Sequence, residues 1–553
     1  MKRIRTNVRR WERRRCTRAA LGGLALLLAL AAVGCGGSGS GSGGQGSGTS
    51  PGTYRKDANV SVRLSGDYDT LNPFLAFNYS GYQMALMSYD RLIALDPTTG
   101  REQPWIATSW STTPDSALLH IRRGVKCQNG ATLTPTDVKA SLDYLGDPRS
   151  GATSTSLVLG NNGFRVTADD AAGTVLVKLG KPYAFLLHEL SNVSVICPPG
   201  LKNPALLKTK TFGTGPYVLT RSLRGDEYVF TRREGYTWGP NGTTTADPGV
   251  PKTIAFKVIN SETTTANLLI SGGLNAALTT GRDVDRLLRT PGLRHQGVDV
   301  PGGANALMLN QAAGHPGSDP MVRRALSLAV DAQAFNVASS FGHAAIMRTL
   351  YLPGMVCYDA ADGAATLPYD VAEAKRVLRE DGWIPGPGGT VRKHGRPLVV
   401  NLLGLTALNS GGDYLQTAFD AIGVTTKLQT LDANTWTGIV FGNGNWDATV
   451  YVFAGGERIP EFVANQASGP APPNGVNVAS VRNATFDALA AKATTAPSND
   501  VACPLWQQGE RALLSAADAK PLNTLHYDAF AKGTQFVVVD GSAFRPLSLR
   551  AVQ

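Results

Sequence analysis

The run "LGGLALLLALAAVGC" from Leu21 to Cys35, followed at once by "GGSGSGSGGQGSG", divides the chain before any fold is considered. Ahead of it, nine Lys and Arg residues stand against the single Glu12 within the first 18 positions, the basic lead of an export signal. The apolar stretch over 19–33 is shorter than the roughly 20 residues a bilayer span needs, so residues 1–34 read as a signal peptide. The folded body must therefore begin beyond the Gly/Ser run. It folds outside the cytoplasm, where disulfides form and persist.

"AVGC" at Ala32 to Cys35 resembles the bacterial lipobox, with Ala32 where the usual leucine stands. Cys35 is expected to be acylated and to become the first residue after cleavage. An ordinary secretory signal ending at a stray cysteine is the alternative. More than one acyl chain, at about 0.8 kcal/mol per buried CH2, anchors durably where one does not. Residues 35–53 then form a tether with a reach of roughly 25 Å, holding the body at the outer face of the cytoplasmic membrane. The arginines of "RRRCTR" leave the export route, Sec or Tat, open.

The formal charge of +11 suggests a nucleic-acid binder until the signal's net +8 is set aside, leaving +3 for the mature chain. No nucleic-acid partner is expected. A mature body of about 500 residues exceeds what one core supports, so two or three domains are expected. Beyond Cys16 and Cys35, four cysteines remain and admit three pairings. Proximity in the chain favours Cys127 with Cys197, which leaves Cys357 with Cys503; free buried thiols are the alternative.

Local patterns alternate between strand and helix. "ANVSVRL", Leu118 to Ile121, "PLVVNLLGL" and "DATVYVF" read as strands, with a turn at Asn129-Gly130. Thr134 with Pro135 and Asp137, Asp319 with Pro320, and Asp370 with Glu373 read as helix starts, the last helix stopping at Gly382.

Catalytic signatures are sparse. The one GxSxG match, "GTSPG" at Gly48 to Gly52, lies in the tether without the strand and helix a nucleophile elbow needs. HExxH, the P-loop and a paired SxxK box are absent, and the seven histidines form no i, i+4 pair. Carboxylate pairs such as Asp67/Asp69 and Glu457/Glu461 carry no weight without spatial convergence. No catalytic residue, cofactor or metal ligand is assigned.

The stretch "DTLNPFLAFNYSGYQMALMSYDRLIALDPTTGREQPWIATSWSTTPDSALLHIRRGVKCQNGATLTPTDVKAS" resembles the opening of the extracytoplasmic solute-binding proteins of family 5, the oligopeptide, dipeptide and nickel group of ABC importers. "GTGPYVL", "LMLNQAAGHPGSDPMVRRALSLAVD", "PYDVAEAKRVLREDGW", "LQTAFDAIGVTTKLQ", "TWTGIVFGNGNWDATVYVFAG" and "LHYDAFA" follow in family order. The resemblance implies an α/β, two-lobe periplasmic-binding-protein-like fold of the class II type, with an additional domain in the first lobe. Mapped here, lobe one spans 54–305 and regains 519–553, the extra domain lies near 92–206, and lobe two spans 306–518. It further implies a monomer that captures a peptide or similar solute and delivers it to permease and ATPase subunits. A ligand-sensing lipoprotein and a secreted hydrolase are the competing readings.

By the same resemblance, ligand backbone would pair with chain edges at Phe77-Asn78-Tyr79 and at Phe453-Ala454-Gly455, the β-augmentation mode. Trp436, Tyr451, Phe453 and Tyr527 would supply aromatic walls, core packing being the alternative for each ring. Peptide binders of the family place an aspartate for the ligand's amine where Gly455-Gly456 stands here. A buried amine without its partner costs several kcal/mol, and Glu457 substitutes only if the loop shifts by one residue. The ligand is left open among a free peptide, a modified peptide, a sugar and a chelated metal.

Overall fold

The computed structural model describes residues 53–553 apart from 77, 97–98, 152–162, 443, 454–457, 473 and 540–542. The expected signal peptide, Cys35 and the tether up to residue 52 lie outside the described residues. Strand β1 (Asn59–Leu64) buries Val60, Val62 and Leu64, as their alternation predicts, and a loop leads to α1 (Tyr79–Ser88). A separate antiparallel sheet follows: β2 (Ala107–Thr113), β3 (Ser116–Ile121), β4 (Phe164–Asp169) and β5 (Thr174–Leu179), in the order β2-β3-β5-β4. Helix α2 (Pro135–Gly146) packs on it.

The chain then runs through β6 (Tyr217–Leu223), β7 (Glu227–Arg232), β8 (Thr253–Val258), α3 (Glu262–Ser271), β9 (Ala276–Thr279) and the long β10 (Leu293–Leu309). Helices α4 (Pro320–Leu328), α5 (Ala332–Ser340) and α6 (Val371–Glu380) precede β11 (Val399–Leu405) and β12 (Thr425–Leu431). Next come α7 (Ala433–Val440), β13 (Ala448–Phe453), α8 (Asn499–Ser515) and β14 (Ala519–Lys532).

The expected helix starts form for the expected reasons. Thr134 Oγ1 accepts from the Asp137 amide while Asp137 Oδ2 accepts from the Thr134 amide, closing a capping box with Pro135 at N1. Asp319 and Asp370 cap α4 and α6 through their carboxylates. Cys127 joins Cys197 and Cys357 joins Cys503, at Cα separations of 6.0 and 4.7 Å. By constraining the unfolded chain, such links contribute about 2–4 kcal/mol each.

"GTGPYVL" owes its glycines to close approach. A Cβ on Gly213 would stand 2.0 Å from the Ser88 carbonyl oxygen, and one on Gly215 would stand 2.5 Å from the Ser88 carbonyl carbon. The Gly215 amide donates to that oxygen at 2.8 Å. The segment thus docks on the C-terminal end of α1, and a methyl group at Gly213 has nowhere to go.

One ten-stranded sheet organises the rest, in the order β12-β11-β13-β10-β14-β9-β1-β8-β7-β6. Only β10 and β14 belong to both halves. They pair antiparallel from Leu293/Lys532 to Asp299/His526, then from Ala304/Thr524 to Met308/Ala519, with the register slipping between the two stretches. There β10 advances five residues while β14 advances two. The slip falls between Asp299 and Ala304 on β10 and between Thr524 and His526 on β14. On the β13 side, Lys520 Nζ donates to the carbonyls of Ser327 and Val330, closing the C-terminal end of α4.

On one face of the crossing strands, charges line up across the slip. His295 Nε2 lies 2.6 Å from Asp528 Oδ1, and His526 lies 2.8 Å from Asp299 Oδ1 and 3.5 Å from Asp528 Oδ2. Thr524 donates its hydroxyl to Asp299 across the break. Burial opposes a charged His526, but the two carboxylates outweigh it and push its pKa from 6.5 to about 9. Asp528 is buried, which would raise its pKa; its two histidines prevail and hold it down at about 2.

Two outcomes are expected. Gly213→Ala, an overpacking change, should cost about 1–3 kcal/mol in denaturant unfolding. His526 contributes stability that is complete below pH 6.5, shrinks as pH rises and is lost above about 9. Melting midpoints of wild type and His526→Gln should therefore converge between those values, and a constant gap would contradict the pairing.

Candidate functional site

Parallel pairing sets the direction of both halves. β1 runs parallel to β8 and β9, and β11 runs parallel to β12 and β13. In open α/β sheets, ligands bind outside the C-terminal ends of such strands. The register brings these ends together. Thr279, the last residue of β9, lies opposite Asp528; Phe453, the last of β13, lies opposite Ala304, which in turn faces Thr524. Four residues of β14 separate the two, about 13 Å at ~3.3 Å per residue.

On the β1 side, the loop 65–78 is folded by its own acids. Asp67 accepts from the Tyr228 hydroxyl and from Arg224 Nε, and Asp69 accepts from the amides of Thr70 and Asn78. Asn78 is the N-cap of α1: its Oδ1 accepts from the Gly81 amide and its Nδ2 donates to the Asp67 carbonyl. With its amide and side chain engaged, Asn78 ends the loop and Tyr79 starts a helix. Asn78 keeps an extended backbone, φ −82° and ψ 158°, and the helix begins at Tyr79. Phe77 lies outside the described residues.

Tyr79 meets Tyr527 of β14 with ring centroids 5.3 Å apart. Burial pushes the Tyr527 hydroxyl up to about 12, so it stays protonated and can donate. Beneath the pair, Arg63 of β1 gathers the strand ends. Its Nε donates to the Ile259 carbonyl at 2.9 Å and its Nη1 donates to the Leu278 carbonyl and to Glu262 Oε1, both at 2.8 Å. Arg63, between Val62 and Leu64, is the sequence signal that marks this point.

Across the junction, Trp436, Tyr451 and Phe453 form a ladder, with centroids 6.0 Å apart for Trp436/Tyr451 and 5.6 Å for Tyr451/Phe453. Trp436 Nε1 donates to Thr449 Oγ1 at 2.9 Å, and that hydroxyl donates to the Leu403 carbonyl, which fixes the indole. Trp436, Tyr451 and Phe453 are 9%, 7% and 0% exposed, so the rings are packed on one another. Ala454, Gly455 and Glu457 lie outside the described residues.

Of the expected residues, Tyr79 meets Tyr527 on one side of the crossing, and Trp436, Tyr451 and Phe453 stack on the other. Arg63, Glu262, Asp299 and His526 also reach it, and the sequence reading missed them. Among the described residues, no three His, Cys, Asp or Glu side chains are grouped to hold a metal ion. Tyr79 and Tyr527 keep partly exposed rings at the crossing, which suit capture of a solute.

Comparison with known proteins agrees with this geometry. The family model described as "Bacterial extracellular solute-binding proteins, family 5 Middle" matches residues 102–472. Protein XP55 of Streptomyces lividans is 27% identical over 353 residues, spanning 61% of this chain and 60% of that protein. The glutathione-binding protein GsiB of Salmonella typhimurium is 25% identical over 451 residues, spanning 79% of this chain and 83% of that protein. A substrate binding protein from Microbacterium hydrocarbonoxydans, solved with 4-hydroxybenzoate hydrazide, superposes with a TM-score of 0.75 at 27% identity. That superposition covers 89% of this chain and all of the other. With the matched segment spanning the separate four-stranded sheet, β10 and the aromatic ladder, the chain belongs to the bacterial extracellular solute-binding proteins of family 5.

Proposed function

We propose that the protein is the solute-capturing lipoprotein of an ABC importer, closing two lobes on a peptide or similar small solute and handing it to the permease and ATPase subunits. The observation that carries this reading is the convergence of both sets of parallel strand ends on the β10/β14 crossing, each end bearing aromatic side chains. Lobe one takes 54–305 with the return near 519–553 and the extra domain near 92–206; lobe two takes 306–518. The lobes move about the register slip, and the protein works as a monomer. GsiB is a glutathione-binding protein, and the Microbacterium relative holds an aryl hydrazide. Both are compact organic solutes, and the same size class fits two facing aromatic groups. Acyl chains on Cys35 hold the protein at the outer membrane face, and the Gly/Ser tether gives it reach.

Mass spectrometry of solute released by denaturant from freshly purified protein identifies the ligand; repeated absence of any bound or bindable solute would overturn the reading. With that solute, Tyr527→Ala should weaken binding about 5- to 1000-fold and lower the melting midpoint less than Phe453→Ala does, because its ring is only partly buried. Phe453→Ala should weaken binding and also lower the midpoint, since truncating a packed Phe costs about 3–5 kcal/mol. Separately, Cys35→Ala should move the protein from the membrane fraction to the soluble fraction, and firm retention would place the anchor elsewhere.

A further inference from the structure

Away from the aromatic groups, one face of α8 grips the segment 348–366. Cys503, Gln507 and Glu510 stand at i, i+4 and i+7 of the helix and so share that face. Cys503 is bonded to Cys357, and Gln507 Nε2 donates to the Cys357 carbonyl at 3.2 Å. Glu510 Oε1 accepts from the amides of Leu350 and Tyr351, at 2.5 and 2.8 Å. Asp362, in a short 3-10 helix (Ala360–Ala365), accepts from Arg511 Nη1 through Oδ1. Both acids are 0% exposed.

Each acid has one oxygen left over. Asp362 Oδ2 and Glu510 Oε2 are buried, and as bare carboxylate oxygens they receive no hydrogen bond from the described residues. The two carboxyl groups nevertheless face each other within hydrogen-bonding reach. Ionised carboxylates only accept and repel one another, so neither can satisfy its neighbour. One proton between them makes one oxygen a donor, gives the other its hydrogen bond and leaves a single negative charge beside Arg511. The other groups around the pair supply no substitute. The Tyr351 hydroxyl is buried near both acids and bonded to neither, and burial keeps it protonated. Asp359 adds a further negative charge, and Arg348 directs its Nε to the Gly363 carbonyl. Burial, the largest cause for both acids, pushes Glu510 up to about 8 and moves Asp362 in the same direction.

We propose that Asp362 and Glu510 hold one shared proton, and that this proton clamps the segment 348–366 on α8, so the clamp weakens as pH rises. The chain enters that segment from the register slip, where the Ala345 amide donates to Thr524 Oγ1, the Ala345 carbonyl accepts from the Thr524 amide and the Met347 amide donates to the Leu522 carbonyl. It then reaches the stretch after β13, where the Val356 amide donates to the Arg458 carbonyl. Losing the proton therefore loosens a strap that runs from β14 to the end of the aromatic ladder. Once released, Glu510 binds its proton only below about 4.5, whereas the clamped pair keeps it to about 8. The clamp is strongest below the lower value, weakens between the two and changes no further above the upper one. The inference goes beyond solute capture and does not depend on it.

Hydrogen exchange read by mass spectrometry on peptides covering Leu350 and Tyr351, from pH 5 to 9 and corrected for intrinsic exchange, tests it in wild type, Glu510→Gln and Asp362→Asn. The Gln amide donates to Asp362 Oδ2 at every pH while its carbonyl takes the two backbone amides, so that variant has no proton to lose. Wild-type protection relative to Glu510→Gln should fall by up to about tenfold per pH unit between about 5 and 8 and level off above. Asp362→Asn donates an N–H to Glu510 Oε2 and removes the second carboxylate, so its profile should also be flatter than that of wild type, and it decides if Glu510→Gln does not fold. A wild-type-to-variant ratio that stays constant across the range, as a merely structural role for these acids would give, overturns the proposal.

Discussion

Two strands must remain hydrogen-bonded to each other while carrying the chain between two groups of strands, and the rest of the molecule depends on how that is managed. β10 and β14 keep their ladder on both sides of a slip in which one strand takes five residues and the other two. An unpaired buried backbone group costs as much as a lost hydrogen bond, so the slip is tolerated only where side chains and loops fill the gap. Asp299 and Thr524 meet there, the Ala345 amide donates to Thr524 Oγ1, and Asn305 Nδ2 bridges to Asn523 Oδ1 and the Thr524 carbonyl. Polar side chains thus take over from backbone where the sheet changes course.

The same solution recurs wherever a cation is buried. Arg63 collects carbonyls at the ends of two strands, and Lys520 collects carbonyls at the end of α4. Each replaces lost hydration with fixed dipoles, and burial still drives the Lys520 pKa down to about 8. Buried Glu510 shows the acid counterpart. Burial pushes it up to about 8 although the amides of Leu350 and Tyr351 donate to it. These groups stiffen the frame around the crossing, which leaves the aromatic side chains as the parts suited to meet a solute.

Much of this was legible in the chain because its cause is local. Thr134-Pro135 with Asp137 and the alternation in "NVSVRL" each act within a few residues. The site was legible only in part. Tyr79, Tyr527 and the Trp436–Phe453 ladder were named through a resemblance whose blocks are ordered along the chain. Asn78 was expected at an edge and is a helix cap, because whether its amide is free depends on Asp69, nine residues away. His526 and Asp299 escaped notice because 227 residues separate them.

The sequence by itself determined the alternation of strand and helix patterns in a mixed α/β body and, through its ordered blocks, the resemblance to family 5, since hydropathy and turn chemistry are properties of neighbouring residues. Tertiary structure alone decided where the strand ends converge and which carboxylates flank His526. Those outcomes are set by register between strands hundreds of residues apart. Register follows from the whole set of backbone pairings and packed faces, and no short stretch of sequence contains it.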